Sequence, residues 1–146
     1  MHIEVKIDAN CPETRVTVIA SEMTDEVSEL VKKISEHDPS ILIGFQNSEA
    51  FILDRDNIIR FYASMQKVFA VTKESEYIVR LKLYELEQAL CSSRFVRISN
   101  SEIINLQKVA KFDLSLSGTI YVKFKDGSAT YASRRYVSKI KQILGI

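Results

Sequence analysis

Phe95-Val96-Arg97-Ile98-Ser99-Asn100-Ser101-Glu102-Ile103-Ile104-Asn105-Leu106 opens with apolar and basic residues in alternation. It then breaks into three small polar side chains and resumes as an apolar run ending in Asn105. A half-buried strand gains nothing by stopping for two hydroxyls and an amide unless they are presented to something. Short side chains that combine donors and acceptors, set beside an arginine, suit phosphates and base edges. The stretch is read as β structure interrupted by a binding site.

Strand signals surround it. Residues 41–45, 50–53, 58–62, 67–72 and 76–81 are short apolar segments separated by Gln46-Asn47-Ser48, Asp54-Arg55-Asp56-Asn57 and Lys73-Glu74-Ser75. That spacing belongs to a mostly antiparallel β domain. A short helix follows, with Leu83, Leu86 and Leu90 on one face and Glu85 and Glu87 outside, facing solvent. Beyond the opening stretch come strands at 109–114, 118–125 and 128–132. Asp126-Gly127 between the last two is a hairpin signal of type I′, which wants positive φ at both central residues. The chain closes on a helix capped by Ser133 and stopped by Gly145, with Val137, Ile140, Ile143 and Leu144 apolar.

The N-terminal part has its own pattern. Ile3, Val5 and Ile7 alternate with Glu4, Lys6 and Asp8, the period of a half-buried strand, and 15–20 read as a second strand after the turn at Asn10-Cys11-Pro12-Glu13. Thr24 caps a helix whose first turn holds Asp25 and Glu26, and Val27, Leu30, Val31 and Ile34 share one face until Asp38-Pro39 ends it. Such a β-β-α unit is too small for a robust core of its own, so it must pack on the rest of the chain or on another copy. The expected fold is mainly β (α+β overall): a β-β-α appendage over 1–40, suited to dimerisation, and an antiparallel β domain with two helices over 41–146.

The 146 residues carry a formal net charge of only +1, but the charge is divided. Residues 1–54 hold four basic and eleven acidic side chains, net −7; residues 55–146 hold sixteen and eight, net +8. Two readings are open. A basic segment of this size serves a polyanion partner through counterion release, or the two parts neutralise each other across an internal interface. Arg134 and Arg135 bear on the choice. They stand in the first turn of the last helix, where the dipole disfavours positive charge, and would attract an anion such as a phosphate together with that helix end. The alternative is a salt bridge to Asp126 or Glu102.

Several classes find no support. No Gly-rich phosphate loop, GxSxG or HExxH occurs, and His2 and His37 are read as surface residues, so neither an enzyme, a cofactor, a metal site nor a small-molecule substrate is expected. Cys11 and Cys91 are far apart and outside any CxxC, as reduced thiols of a cytoplasmic protein would be. No apolar run approaches the roughly 18 residues of a membrane span, and the start lacks a secretory pattern.

The sequence resembles the LytTR family of bacterial DNA-binding domains. The resemblance runs from about Ile52 to Ile143 and follows the family's order: Ile58-Ile59-Arg60-Phe61-Tyr62, then 77–87, then Phe95-Val96-Arg97 with Ser101 and Asn105-Leu106, and last Tyr131-Ala132-Ser133-Arg134-Arg135-Tyr136-Val137. It implies a β fold that grips duplex DNA with loops and strand ends. Asn100, Arg135 and Gln66 would read bases; Lys67, Arg97, Ser99, Ser101 and Arg134 would contact phosphates and set register. Many members carry His-Arg where this chain has Ser99-Asn100, and a polar side chain where it has Phe69, which here is either core or a contact to a thymine methyl. Some members are short stand-alone regulators, and some of those are encoded beside small membrane proteins that restrain them. The reading that results is a transcriptional regulator binding double-stranded DNA at repeated half-sites as a homodimer. The alternative is a LytTR-like interaction protein acting through a protein partner, with weak DNA binding.

Overall fold

Antiparallel pairing builds the molecule from two sheets. A computed structural model describes residues 1–37, 41–90 and 94–146. Among these the chain runs α1 (Asp25–His37), β1 (Leu42–Gln46), β2 (Glu49–Leu53), β3 (Ile58–Ser64), β4 (Lys67–Thr72), β5 (Glu76–Val79), α2 (Leu83–Ala89), β6 (Phe95–Ser99), β7 (Glu102–Asn105), β8 (Val109–Asp113), β9 (Ile120–Phe124), β10 (Ala129–Ala132) and α3 (Arg134–Leu144). Seven strands form one sheet in the order β2-β1-β5-β4-β3-β7-β6, and three form a second in the order β10-β9-β8.

The larger sheet is covered on both faces where it matters. On one side Phe61, Ala70, Val79, Phe95 and Ile103 pack with Leu83, Leu86 and Leu90 from α2 and its end. On the other, Ile59, Val96, Ile98 and Ile104 meet Ile120, Val122 and Phe124 of the small sheet and Ile140 of α3. Neighbouring strand residues point to opposite faces, so Ile103 and Ile104 each enter a different core. All four residues of β7 are buried. That explains why the run after Ser101 does not alternate: a strand with no solvent face has no polar period.

Asn105 ends β7 with no exposed surface. Its Nδ2 donates to the Ile58 carbonyl at 2.7 Å and its Oδ1 accepts from the Gln107 amide at 3.0 Å, so one side chain ties β3 to the 3-10 turn after β7. Gly44 is needed for another close approach: a Cβ there would lie 2.6 Å from Tyr77 Cβ and 2.7 Å from Leu53 Cδ1.

Three expectations need correction. Residues 1–20 form no strand and are exposed throughout; the alternation marks an apolar face, but a strand also needs a neighbour to take its backbone hydrogen bonds, and no described strand pairs with this segment. The turn near Cys11 does form, the Cys11 amide donating to the Asp8 carbonyl at 3.1 Å, and Thr24 caps α1 through the Val27 amide at 3.3 Å. Second, the Asp126-Gly127 turn is not type I′. Only Gly127 has positive φ, 94°, and the paired bonds Gly127 N–H to Phe124 O and Phe124 N–H to Ser128 O are those of a type I turn with a glycine bulge. Asp126 selects this form by accepting from both the amide and the hydroxyl of Ser128. Third, Glu85 and Glu87 are not idle solvent residues: Glu85 accepts from the Lys82 amide and Glu87 pairs with Arg97. The helix stop at Asp38-Pro39 and Cys91 lie outside the described residues; Cys11 is a free, exposed thiol.

Two outcomes follow. Asn105→Ala leaves a buried carbonyl and an amide without partners and should lower stability by roughly 2–4 kcal/mol in urea denaturation. The Ser128 hydroxyl bond holds the Asp126 carboxyl below its ordinary pKa against the opposing effect of burial. Its contribution to stability is therefore present above the ordinary carboxylate range and lost as pH falls through the lowered native value. In Ser128→Ala the Asp126 carboxyl, followed by NMR, should titrate at higher pH than in the parent.

Candidate nucleic-acid interface

Three elements expected to contact DNA are joined by hydrogen bonds. The first is the β3–β4 turn. Met65 and Gln66 both adopt left-handed φ, 49° and 62°, which gives the two-residue I′ geometry without a glycine. Side chains other than glycine, asparagine and aspartate rarely occupy this region, and doing so costs free energy. Gln66 sits at the exposed tip, and Lys67 follows at the start of β4.

The second element is the β6–β7 turn. The Ser101 carbonyl accepts from the Ala63 amide at 2.8 Å, which fixes this turn to the end of β3. Ser99 Oγ accepts from the Ser101 amide at 3.2 Å, so these hydroxyls shape the turn as well as facing outward. Asn100 is exposed at its tip. Arg97 lies underneath: Nε donates to the Ser99 carbonyl at 2.7 Å, Nη2 to the Asn100 carbonyl at 2.5 Å, and Nη1 reaches Glu87 of α2 at 3.3 Å. Its guanidinium clamps the backbone of the turn it was expected to flank as a phosphate contact.

The third element is the start of α3. Ser133 donates its amide to the Ile98 carbonyl at 2.9 Å, tying the helix to β6. Its side chain makes no capping bond, and the first turn contains no acid. Arg134 and Arg135 are exposed. Neither pairs with the acids named as alternatives: among the described residues the salt bridges are Arg60–Glu102, Arg94–Asp56 and Arg97–Glu87. Gly118, with φ 77°, makes room for Arg134, whose Nε would lie 2.8 Å from a Cβ placed there. One turn into α3, the Tyr136 hydroxyl donates to Asn100 Oδ1 at 3.3 Å. The Asn100 amide is thereby oriented with its Nδ2 hydrogens and one Oδ1 lone pair still open.

Glu102 stands behind all three. It is buried, receives Arg60 Nη1 at 3.0 Å and the Thr130 hydroxyl at 2.8 Å, and so bridges β7, β3 and β10. Arg60 also lies over the Tyr62 ring, which stacks on Phe69 at 5.0 Å. Phe69 is therefore half-buried in an aromatic stack on the sheet. The Tyr62 hydroxyl donates to Glu76 at 2.7 Å, and that bond, with burial, raises its pKa. Elsewhere, Lys111 and Lys123 stand directly opposite on the exposed side of the small sheet. Like charges in that register cost stability, and they concentrate part of the basic charge on one face.

The sequence drew attention to the two turns and the paired arginines but not to the supporting roles of Glu102, Arg60, Thr130, Gly118 and Tyr136. An acid at the head of an apolar run was the one available signal for Glu102; the others are defined by partners distant in sequence.

Loops and one helix start, mounted on paired antiparallel sheets, define a class of DNA-binding domain built on strands. The chain belongs to the LytTR family: the model described as the LytTr DNA-binding domain matches residues 48–145. It is 35% identical over 147 residues to an uncharacterised HTH-type transcriptional regulator of Staphylococcus aureus strain NCTC 8325, covering all of this chain and 99% of the relative. The counterpart in strain MRSA252 is 34% identical with the same coverage. Among solved structures, the LytTr DNA-binding domain of a methyl-accepting/DNA response regulator from Bacillus cereus superposes with a TM-score of 0.71 at 19% identity, over 73% of this chain and 98% of that one. No two helices adjoin in sequence among the described elements, so the fold here is not a helix-turn-helix, whatever the relatives' names.

Arg97→Ala separates clamp from contact. Loss of a clamp weakens duplex binding with an unchanged salt slope and speeds hydrogen exchange at the Ser101 amide; loss of a phosphate contact lowers the slope by about one.

Proposed function

We propose that this protein is a transcriptional regulator that reads double-stranded DNA at repeated half-sites, two copies per operator. Asn100, Arg135 and Gln66 read bases, while Lys67, Arg134, Ser99 and Ser101 set register on the phosphates. The observation that carries this reading is the linkage of the two turns and the α3 start through Ala63–Ser101, Ser133–Ile98 and Tyr136–Asn100. Hydrogen bonds between the elements hold Asn100 and the Arg135 helix start in one frame, as a site addressing a rigid duplex requires. Arg135 can fork onto guanine O6 and N7, and Asn100 can meet adenine with a donor and an acceptor. Arg97 acts in this scheme mainly as the support of the Asn100 turn.

Gel shift on the gene's own upstream DNA across a salt series tests the proposal. Affinity should fall steeply with salt. Arg134→Ala should lower the slope by about one, while Asn100→Ala and Arg135→Ala should each relax base preference at one position, by roughly 1–3 kcal/mol of discrimination. If no duplex binds even at low salt, the protein acts through a protein partner instead.

A further inference from the structure

The outward face of the small sheet contributes to neither hydrophobic core. Ile120, Val122 and Phe124 of β9 are buried inward, so Tyr121 and Lys123, which alternate with them, point out. The register sets Lys111 of β8 opposite Lys123, and Tyr131 of β10 opposite Tyr121. The two tyrosine rings meet at 5.1 Å, yet Tyr131 stays 58% exposed. At the end of the sheet remote from α3, the Lys125 amide donates to the Lys108 carbonyl at 2.9 Å and adds two more cations.

Stability within the sheet does not account for these lysines. A lysine on an edge strand guards against edge-to-edge pairing, and β8 is an edge. That reason does not extend to Lys123 on the central strand, where an acid opposite Lys111 would stabilise and a second cation destabilises. None of the four lysines takes part in the salt bridges of the described residues. The neighbouring acids are satisfied locally instead. Asp113, opposite Tyr121, accepts from the hydroxyl and the amide of Ser115, and Asp126 does the same with Ser128. Cations set side by side without partners are best stabilised by a polyanion.

The face adjoins the candidate interface. Arg134 lies against Gly118 in the loop between β8 and β9, and β10 runs from Tyr131 directly into the start of α3. Leaving Arg134, the Tyr131–Tyr121 row comes first and the Lys123–Lys111 row two residues further along the strands, about 7 Å away. We propose that this face is a second contact surface for duplex DNA, taking the backbone phosphates that continue past the half-site on the Arg134 side. Lys111 and Lys123 neutralise phosphates, and the Tyr131 hydroxyl donates to one. No base is read here, so the surface adds affinity and salt dependence without altering sequence preference. The inference rests on the duplex-binding reading above and lengthens the footprint of each copy.

Fluorescence anisotropy across a salt series tests the proposal with the full-length chain on two duplexes. One is a half-site selected from a random pool; the other carries about ten further base pairs, one helical turn, on each side. With Lys111→Ala/Lys123→Ala, affinity for the extended duplex should fall several-fold and its salt slope by about two, with the short duplex and the base preference unaffected. Lys111→Arg/Lys123→Arg should bind the extended duplex as the parent does. Lys6→Ala/Lys33→Ala, which removes the same charge elsewhere, should leave both slopes unchanged. An unchanged slope for the Lys111/Lys123 alanine variant on the extended duplex would overturn the inference, as would an equal loss on both duplexes or an equal loss in the Lys6/Lys33 variant. Preference for a single strand over the duplex, lost on the same substitution, would also overturn it and assign the tyrosine pair to stacking unpaired bases. A parent that binds no duplex even at low salt sinks the DNA reading and this inference together, whereas a parent that binds but fails these comparisons sinks the inference alone.

Discussion

A buried carboxylate holds together the strands that carry the candidate interface. Glu102 follows directly on the Ser99-Asn100-Ser101 turn, yet its oxygens are spent inward on Arg60 of β3 and Thr130 of β10. Taking an acid out of water is costly, and the cost is offset only when its acceptor sites are filled with good geometry. Here the filling groups come from the strand that leads to the Gln66 turn and the strand that leads to Arg134 and Arg135. A shift of any one strand would strand the charge. The network therefore favours one relative arrangement of the three over neighbouring ones that pack almost as well, which apolar contact alone does poorly because it has no direction.

Much of the β domain could be read from the chain, for a physical reason. Strands with one wet face must alternate, and turns must carry small or polar residues, so β1 to β5 and β8 to β10 announce themselves locally. The failures have physical reasons too. Residues 2–8 have the right period but no hydrogen-bonding neighbour among the described strands, and period does not report on neighbours. Beta7 lacks the period because both of its faces are covered. The turn at Asp126-Gly127 takes a bulge because a side chain, Asp126, competes for the backbone, while I′ geometry appears where no glycine advertised it, at Asn47-Ser48 and Met65-Gln66.

The candidate site was legible to a different degree. Ser-Asn-Ser and Arg-Arg stand out because each violates a local preference: polar residues break a strand run, and cations occupy the wrong end of a helix. What such violations do not convey is which residues support them. Arg97 looks like any exposed cation in sequence, and only the fold turns it beneath Ser99 and Asn100. Tyr136 looks like part of the apolar stripe of α3, and only the crossing of α3 past the β6–β7 turn brings its hydroxyl to Asn100.

The Met65-Gln66 tip has a consequence for how such a protein diversifies. Its backbone is already committed to a left-handed pair, held by the flanking ladder of β3 and β4 from Ser64 and Lys67 outward. An Asn-Gly pair would suit that backbone better, so the native residues represent stability forgone at this spot. The converse is freedom: since the ladder and not the tip residues dictates the path, side chains at the tip can be exchanged in evolution without re-engineering the scaffold. The hairpin thus behaves as a replaceable nib on a fixed pen, whose side chains can change while the two hydrophobic cores stay unaltered.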